Sequence, residues 1–248
     1  MLHFFRTIRK KLIEQDKVRN YIWYALGEIF LVMIGILLAL QVNNWNSERL
    51  DRKTSIEYHK RMVYDIDVLV KRLEDESVRA SAINKNLSQT VLILEKGEFN
   101  DSTAAIVDFA LTRYFQITAF SFQIASYEEM KATGQLALID NLELRQKLYS
   151  YAIYASTISS IVDQFTRNVN SGDDLFNKYI RLKIENQEQN SIIEYDLEAI
   201  SGDPVFINTL SKLSYNWDSY LYFTGTIITQ LQKLREDIQQ ELSLNQPD

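Results

Sequence analysis

"MVYDIDVLVKRLEDESVRASAINKNLSQTVLIL", Met62 to Leu94, carries its apolar residues on alternating spacings of three and four. Met62, Ile66, Leu69, Leu73, Ala80, Ile83, Leu87 and Leu94 form the series, and Glu76 and Thr90 occupy its two polar slots. This spacing puts all ten on one stripe of a single helix. Neither Gly nor Pro occurs between Gly35 and Gly97, so nothing local ends that helix early. The stripe needs a cover. A coiled-coil dimer would supply one, and packing against later helices of the same chain, the commoner fate of such a stripe, is the expected arrangement.

Toward the N-terminus, Tyr21 to Val42 is a run of 22 residues with one charged group, Glu28. At about 1.5 Å per residue this run crosses a hydrocarbon core of about 30 Å. A cleaved signal peptide would have a shorter apolar region followed by a small-x-small site, which Leu40-Gln41-Val42-Asn43 does not offer. An uncleaved anchor is therefore expected. Tyr21, Trp23 and Tyr24 at one end and Trp45 at the other suit the two aromatic belts of a bilayer. Before the span, Phe4, Phe5, Ile8 and Leu12 share a helical face and basic residues occupy the others, the pattern of an amphipathic head lying on membrane lipid.

The charge balance orients this anchor. Residues 1–20 hold six basic groups against two acidic ones, a net +4, which leaves −10 for the rest of a chain whose total is −6. Basic flanks stay cytoplasmic, so the expected topology is an inner-membrane, single-pass protein with its N-terminus inside and residues 50–248 in the periplasm. An acidic body argues against nucleic acid as a partner. The domain plan is a basic amphipathic cytoplasmic head at 1–20, a transmembrane anchor at 21–42 and a periplasmic helical domain at 43–248.

Only 7 Gly and 2 Pro punctuate the chain, while 46% hydrophobic and 12% aromatic residues are enough for a core. Turn-formers are too scarce for many short strands. The fold class is all-α: an N-terminal transmembrane helix continuing into an elongated antiparallel helical bundle. Gly97 should end the first helix, and "NDST" at 100–103 should cap a short one reaching about Tyr114. "YFQITAFSFQIAS", 114–126, alternates like a strand but has no second strand to pair with, so an extended crossover is expected. Ser126 with Glu129, and Asp140 with Glu143, read as capping boxes, the second opening a long helix that Gly172 ends. A further helix is expected from Asp173 to about Glu185, followed by the polar "NQEQNS". Asp203-Pro204 then opens the last of three long antiparallel helices.

Two stretches carry a family resemblance: "GEIFLVMIGILLALQVNNWN" at 27–46, behind its short basic head, and "SYEEMKATGQLALIDNLELRQKLYSY" at 126–151. The chain resembles a family of uncharacterised single-pass membrane proteins common in Bacteroidota, known only as a domain of unknown function. The resemblance covers most of the chain. It implies a Gram-negative inner membrane with the body in the periplasm, and it supplies no catalytic residues.

No reaction is legible in the residues. There are two His, one in the head and one, His59, in a highly charged stretch, and no Cys. No metal-ligand spacing, nucleophile elbow or phosphate-cradling loop occurs, so neither catalytic residues nor a cofactor or metal is expected. The adjacent pairs Glu128/Glu129 and Asp173/Asp174 fit helix N-termini better than acid-base chemistry. Two sets of residues invite a binding role. Tyr114, Phe120, Phe122, Tyr127, Tyr149, Tyr151 and Tyr154 crowd the middle of the chain and could line an aromatic groove, although core packing is the simpler reading. Glu28, Gly35 and Ala39 fall on one face of the span, where a small-x-x-x-small pair beside a carboxylate would let another helix approach, its own copy or another membrane protein. Snorkelling of Glu28 toward the headgroups is the competing explanation. A membrane-anchored scaffold or protein-interaction module ranks first, a ligand-sensing domain signalling through its single anchor second, and an enzyme third.

Overall fold

The computed structural model of the chain describes residues 18–117, 121–170, 173–184 and 191–245. The expected amphipathic helix at the N-terminus, Phe120 and the stop at Gly172 lie outside these residues. The fold is all-α apart from one short hairpin. The chain forms two units that meet in sequence between Ser55 and Ile56.

Helix α1 spans Val18–Lys96 without a break, as a segment free of Gly and Pro beyond Gly35 allows. It ends where Gly97 adopts a φ of 68°, a left-handed conformation that glycine reaches without strain. In the first unit α1 is long and apolar enough to cross a membrane. Its residues from Ile29 to Val42 are all exposed.

In the second unit α1 carries the stripe anticipated above. Met62, Ile66, Leu69, Leu73, Ala80, Ile83, Leu87 and Leu94 are buried, and so are Glu76 and Thr90 in the polar slots. The cover comes from the same chain, so the coiled-coil dimer is not needed to bury this seam. Two later helices repeat the period: α4 (Leu142–Asn170) buries Leu144, Leu148, Tyr151, Ala155, Ile158, Val162, Phe165 and Val169. On α7 (Pro204–Asn245) the series runs from Phe206 through Leu210, Leu213, Trp217 and Tyr220 to Ile238. A shared 3.5-residue period lets three helices keep their apolar seams together over their length.

Cross-helix pairs set the directions. Asp67 with Arg235, Asn84 with Asp218 and Ser88 with Ser214 join α1 and α7 in opposed order. Lys147 with Asp237 and Phe165 with Trp217 do the same for α4 and α7. Thus α7 is antiparallel to both, while α1 and α4 run the same way. The three long helices therefore do not alternate as expected, because the return leg between α1 and α4 is a broken one. It consists of α2 (Asp101–Arg113), an irregular crossover and α3 (Ala125–Ala132), then a 3₁₀ turn at Gln135–Leu138. Arg79 donates to the Gln116 carbonyl and Asp65 accepts from the Ser126 amide, so the leg descends α1 as its own numbering rises.

The caps mix local and tertiary solutions. Asn100 caps α2 by accepting from the Ser102 and Thr103 amides, and Thr103 Oγ1 accepts from the Asn100 amide in return. Asp203 accepts from Val205 and Phe206 at the start of α7, as Asp203-Pro204 suggests. The box at Ser126 does not form. Helix α3 starts two residues earlier than a Ser126 cap would place it, its N-cap Ile124 makes no side-chain capping bond, and the Asp65 carboxylate of α1 takes the Ser126 amide at 2.8 Å. Helix α4 is capped by Asn141, accepting from the Leu144 amide at 3.1 Å, rather than by Asp140.

After α5 (Asp173–Tyr179) the chain departs from the expected helix to Glu185. Ile180–Ile184 forms β1 and pairs antiparallel with β2, Ser191–Tyr195, in the register Ile180 opposite Tyr195 and Ile184 opposite Ser191. The two runs are rich in Ile and lie on either side of a polar hexapeptide, so each supplies the partner the other needs. Lys183 pairs with Glu194 across the hairpin, and the Tyr195 hydroxyl donates to Asp108 of α2 at 2.7 Å. Helix α6 (Leu197–Ser201) leads into α7.

Candidate functional site

The span residues singled out above sit differently. Glu28 is half-buried, whereas Gly35 and Ala39 are exposed. A Cβ placed at Gly35 would meet nothing within 4 Å, so the backbone there is open to a neighbour.

The residues of the candidate aromatic groove are dispersed over the bundle. Tyr114 is buried and stacks on Phe176 at 4.3 Å, and its carbonyl accepts from Trp217 Nε1 at 3.2 Å. Tyr151 is buried lower on α4 and donates to the carbonyl of Phe122, itself wholly buried. Burial, which disfavours the phenolate, pushes the Tyr151 hydroxyl well above its ordinary range. Tyr127 and Tyr149 come together along a shallow groove between α3 and α4, Tyr127 buried and Tyr149 exposed. Tyr154 is half-buried and shares a second groove, between α4 and α7, with Tyr151. Core packing therefore accounts for Tyr114, Phe122, Tyr127 and Tyr151.

Two grooves lie along the α4–α7 seam, and their chemistry differs. The first, of about 560 Å³, is charged: Glu143, Lys147, Lys233, Glu236 and Asp237 line it. Lys147 donates to Asp237 at 2.9 Å and pairs with Glu143 at 3.0 Å. Those two carboxylates, Asp237 first, raise the Lys147 pKa. The second, of about 260 Å³, has no Asp, Glu, Lys or Arg in its lining. Its floor is apolar, with Val162, Phe165 and Phe223, and its rim carries the carboxamides of Gln164, Asn168 and Asn216.

Polar groups inside the bundle form two further clusters. Asn84 donates to Asp218 and accepts from Ser214 at 2.8 Å, and Ser214 and Ser88 are 2.7 Å apart. Two turns toward the N-terminus of α1, Glu76 is 5% exposed and is held by Arg79, which also donates to the Gln116 carbonyl. Tyr220 lies close enough to feel both. Burial first and the Glu76 charge second push its hydroxyl well above the ordinary range. At the other end of the unit, Glu129 accepts from both terminal nitrogens of Arg61 and from the Tyr58 hydroxyl. The Arg61 contact, then that of Tyr58, holds its carboxyl below the usual range. The Asn84 and Glu129 clusters could not be found from the sequence, because each joins distant segments, whereas the Glu76–Arg79 pair is local, three residues apart on α1. Among the described residues no three His, Asp or Glu side chains gather as a metal site would require.

Compared with protein-family models, with curated proteins and with solved structures, the chain has no significant match.

Proposed function

We propose that the chain is a single-pass inner-membrane protein whose helical body, residues 50–248, stands in the periplasm and serves as a scaffold or protein-interaction module rather than as an enzyme. One observation carries the interaction reading. Tyr64, Tyr149, Tyr215 and Tyr222 are between 59% and 72% exposed on helices of a well-packed bundle. Tyrosine presents a large amphipathic surface at low entropic cost, which makes it a favoured interface residue. The charge asymmetry about the apolar run, and the resemblance of residues 27–46 and 126–151 to uncharacterised single-pass membrane proteins, support the location.

Photo-crosslinking amino acids placed singly at these four positions in the full chain, in intact cells, test the proposal. Discrete adducts from at least one position are expected. Four positions without any adduct would sink the scaffold reading. A periplasm-active reporter fused after Asp248 should be active, and activity of a cytoplasmic reporter there instead would invert the topology.

Within the membrane we assign the face bearing Glu28, Gly35 and Ala39 to association with a second copy or another membrane helix. A transmembrane association reporter should lose signal in Gly35→Ile and Ala39→Ile. Unchanged signal with insertion intact would leave the span as a tether.

A further inference from the structure

We infer that the uncharged groove between α4 and α7 is a binding site for a neutral, polyhydroxylated small molecule about the size of one sugar ring. The inference goes beyond the scaffold reading and does not depend on it.

Three observations converge on this groove. The first is its electrical neutrality: charged residues make up 24% of the chain, yet no Lys, Arg, Asp or Glu lines it. The other groove on the same two helices has five, with Lys147 already committed to Asp237 and Glu143. An ionic ligand would find no counter-charge in the uncharged groove and would lose hydration on entering it. The second is the rim. Gln164 and Asn168 are one helical turn apart on α4, and Asn216 faces them from α7. A carboxamide both donates and accepts, as a hydroxyl does, so amides at the rim match a ligand that offers both functions at each polar position.

The third is the rigidity of the floor. Phe165 meets Trp217 edge-to-face at 5.3 Å, and Trp217 meets Tyr220 in the same way at 5.7 Å. Trp217 is anchored in turn by its bond to the Tyr114 carbonyl. Such a floor is formed before any ligand arrives, which removes an ordering cost from binding. Apolar carbons of a sugar ring would rest on Phe165 and Phe223 while its hydroxyls reach the amides. A volume of about 260 Å³ falls just below the usual range for drug-sized ligands, and so suits a single ring.

The test uses the full chain in lipid nanodiscs, which avoids sugar-headed detergents, and ligand-observed saturation-transfer NMR. Glucose and N-acetylglucosamine are the neutral probes, and glucuronate and glucosamine are their charged counterparts. Saturable binding of a neutral probe with Kd of about 1 mM is expected, with weaker binding of the charged ones. Asn216→Asp, nearly unchanged in size, should weaken it about tenfold. Gln164→Ala, on the exposed flank of α4, gives a second variant if the first loses helicity by circular dichroism. Lys233→Ala in the charged groove should leave binding unaltered. Absence of saturable binding by both neutral probes would overturn the inference, and so would equal binding of the charged probes or indifference to both groove substitutions in folded protein.

Discussion

Glu129 is solvent-accessible, yet three donor groups converge on it: two from Arg61 and one from Tyr58, both on α1. These contacts hold its folded-state pKa below the ordinary value of 4.5. A depressed carboxylate pKa means that the contact stabilises the fold above the unfolded value and ceases to do so as pH falls through the folded one. Between about pH 5 and pH 3, wild-type protein should therefore lose more of its urea midpoint than Glu129→Gln does. Identical pH dependence would mean that the contact contributes nothing, as many exposed pairs do. Trp217 is the buried counterpart, fully inside and bonded through Nε1 to the Tyr114 carbonyl. Trp217→Phe removes both volume and that donor and should cost about 2–4 kcal/mol in denaturant unfolding. These roles were not legible residue by residue. The "SYEE" pattern marks Glu129 as a helix-end acid, and only the approach of Tyr58 and Arg61 from a helix far away in sequence shows what it holds.

At the scale of elements, α1 carries a carboxylate where its repeat calls for an apolar residue. Glu76 is tolerated there because Arg79, three residues on, pairs with it and reaches the Gln116 carbonyl of the return leg. Arg79→Met should take from the buried Glu76 carboxylate its charged neighbour on α1 and destabilise the bundle by about 3 kcal/mol in denaturant unfolding. The double substitution Glu76→Leu with Arg79→Met should recover most of that loss, since an apolar pair completes the stripe. Failure to recover would show that Arg79 acts mainly through the crossover. The cap of α3 belongs to this scale as well. Asp65→Ala removes the side chain that accepts from its first turn and should cost about 1 kcal/mol by the same measurement. Loss of a Ser126 box would have been invoked from sequence, whereas Ser126→Ala removes no capping bond.

For the whole molecule, the three heptad seams are buried within residues 56–248, the second unit. Residues 56–248 expressed alone should therefore be soluble, helical and monomeric, as circular dichroism and light scattering can show. An obligate oligomer would mean that an intermolecular seam has been overlooked, and a β-dominated spectrum would contradict the fold. The exposed run from Ile29 to Val42 should confer detergent dependence on the full chain only.

The sequence by itself determined the elements that depend on local periodicity and on single punctuating residues. The stripe from Met62 to Leu94, the membrane-length apolar run, the end of α1 at Gly97, the Asn100 cap and the Asp203-Pro204 start are all read from neighbours within a few turns, where helical geometry alone fixes which side chains meet. The tertiary structure decided everything that joins distant segments. It made α1 and α4 parallel by routing the return leg through α2 and the crossover, and it turned Ile180–Ile184 into a strand because Ser191–Tyr195 came alongside. It also gave Asp65 the cap of α3, and it set Gln164 and Asn168 across from Asn216. The physical reason is the same in each case. A helix repeat says that a face is buried but not against what, and the register between antiparallel helices is settled by packing and cross-helix pairs that no local pattern encodes.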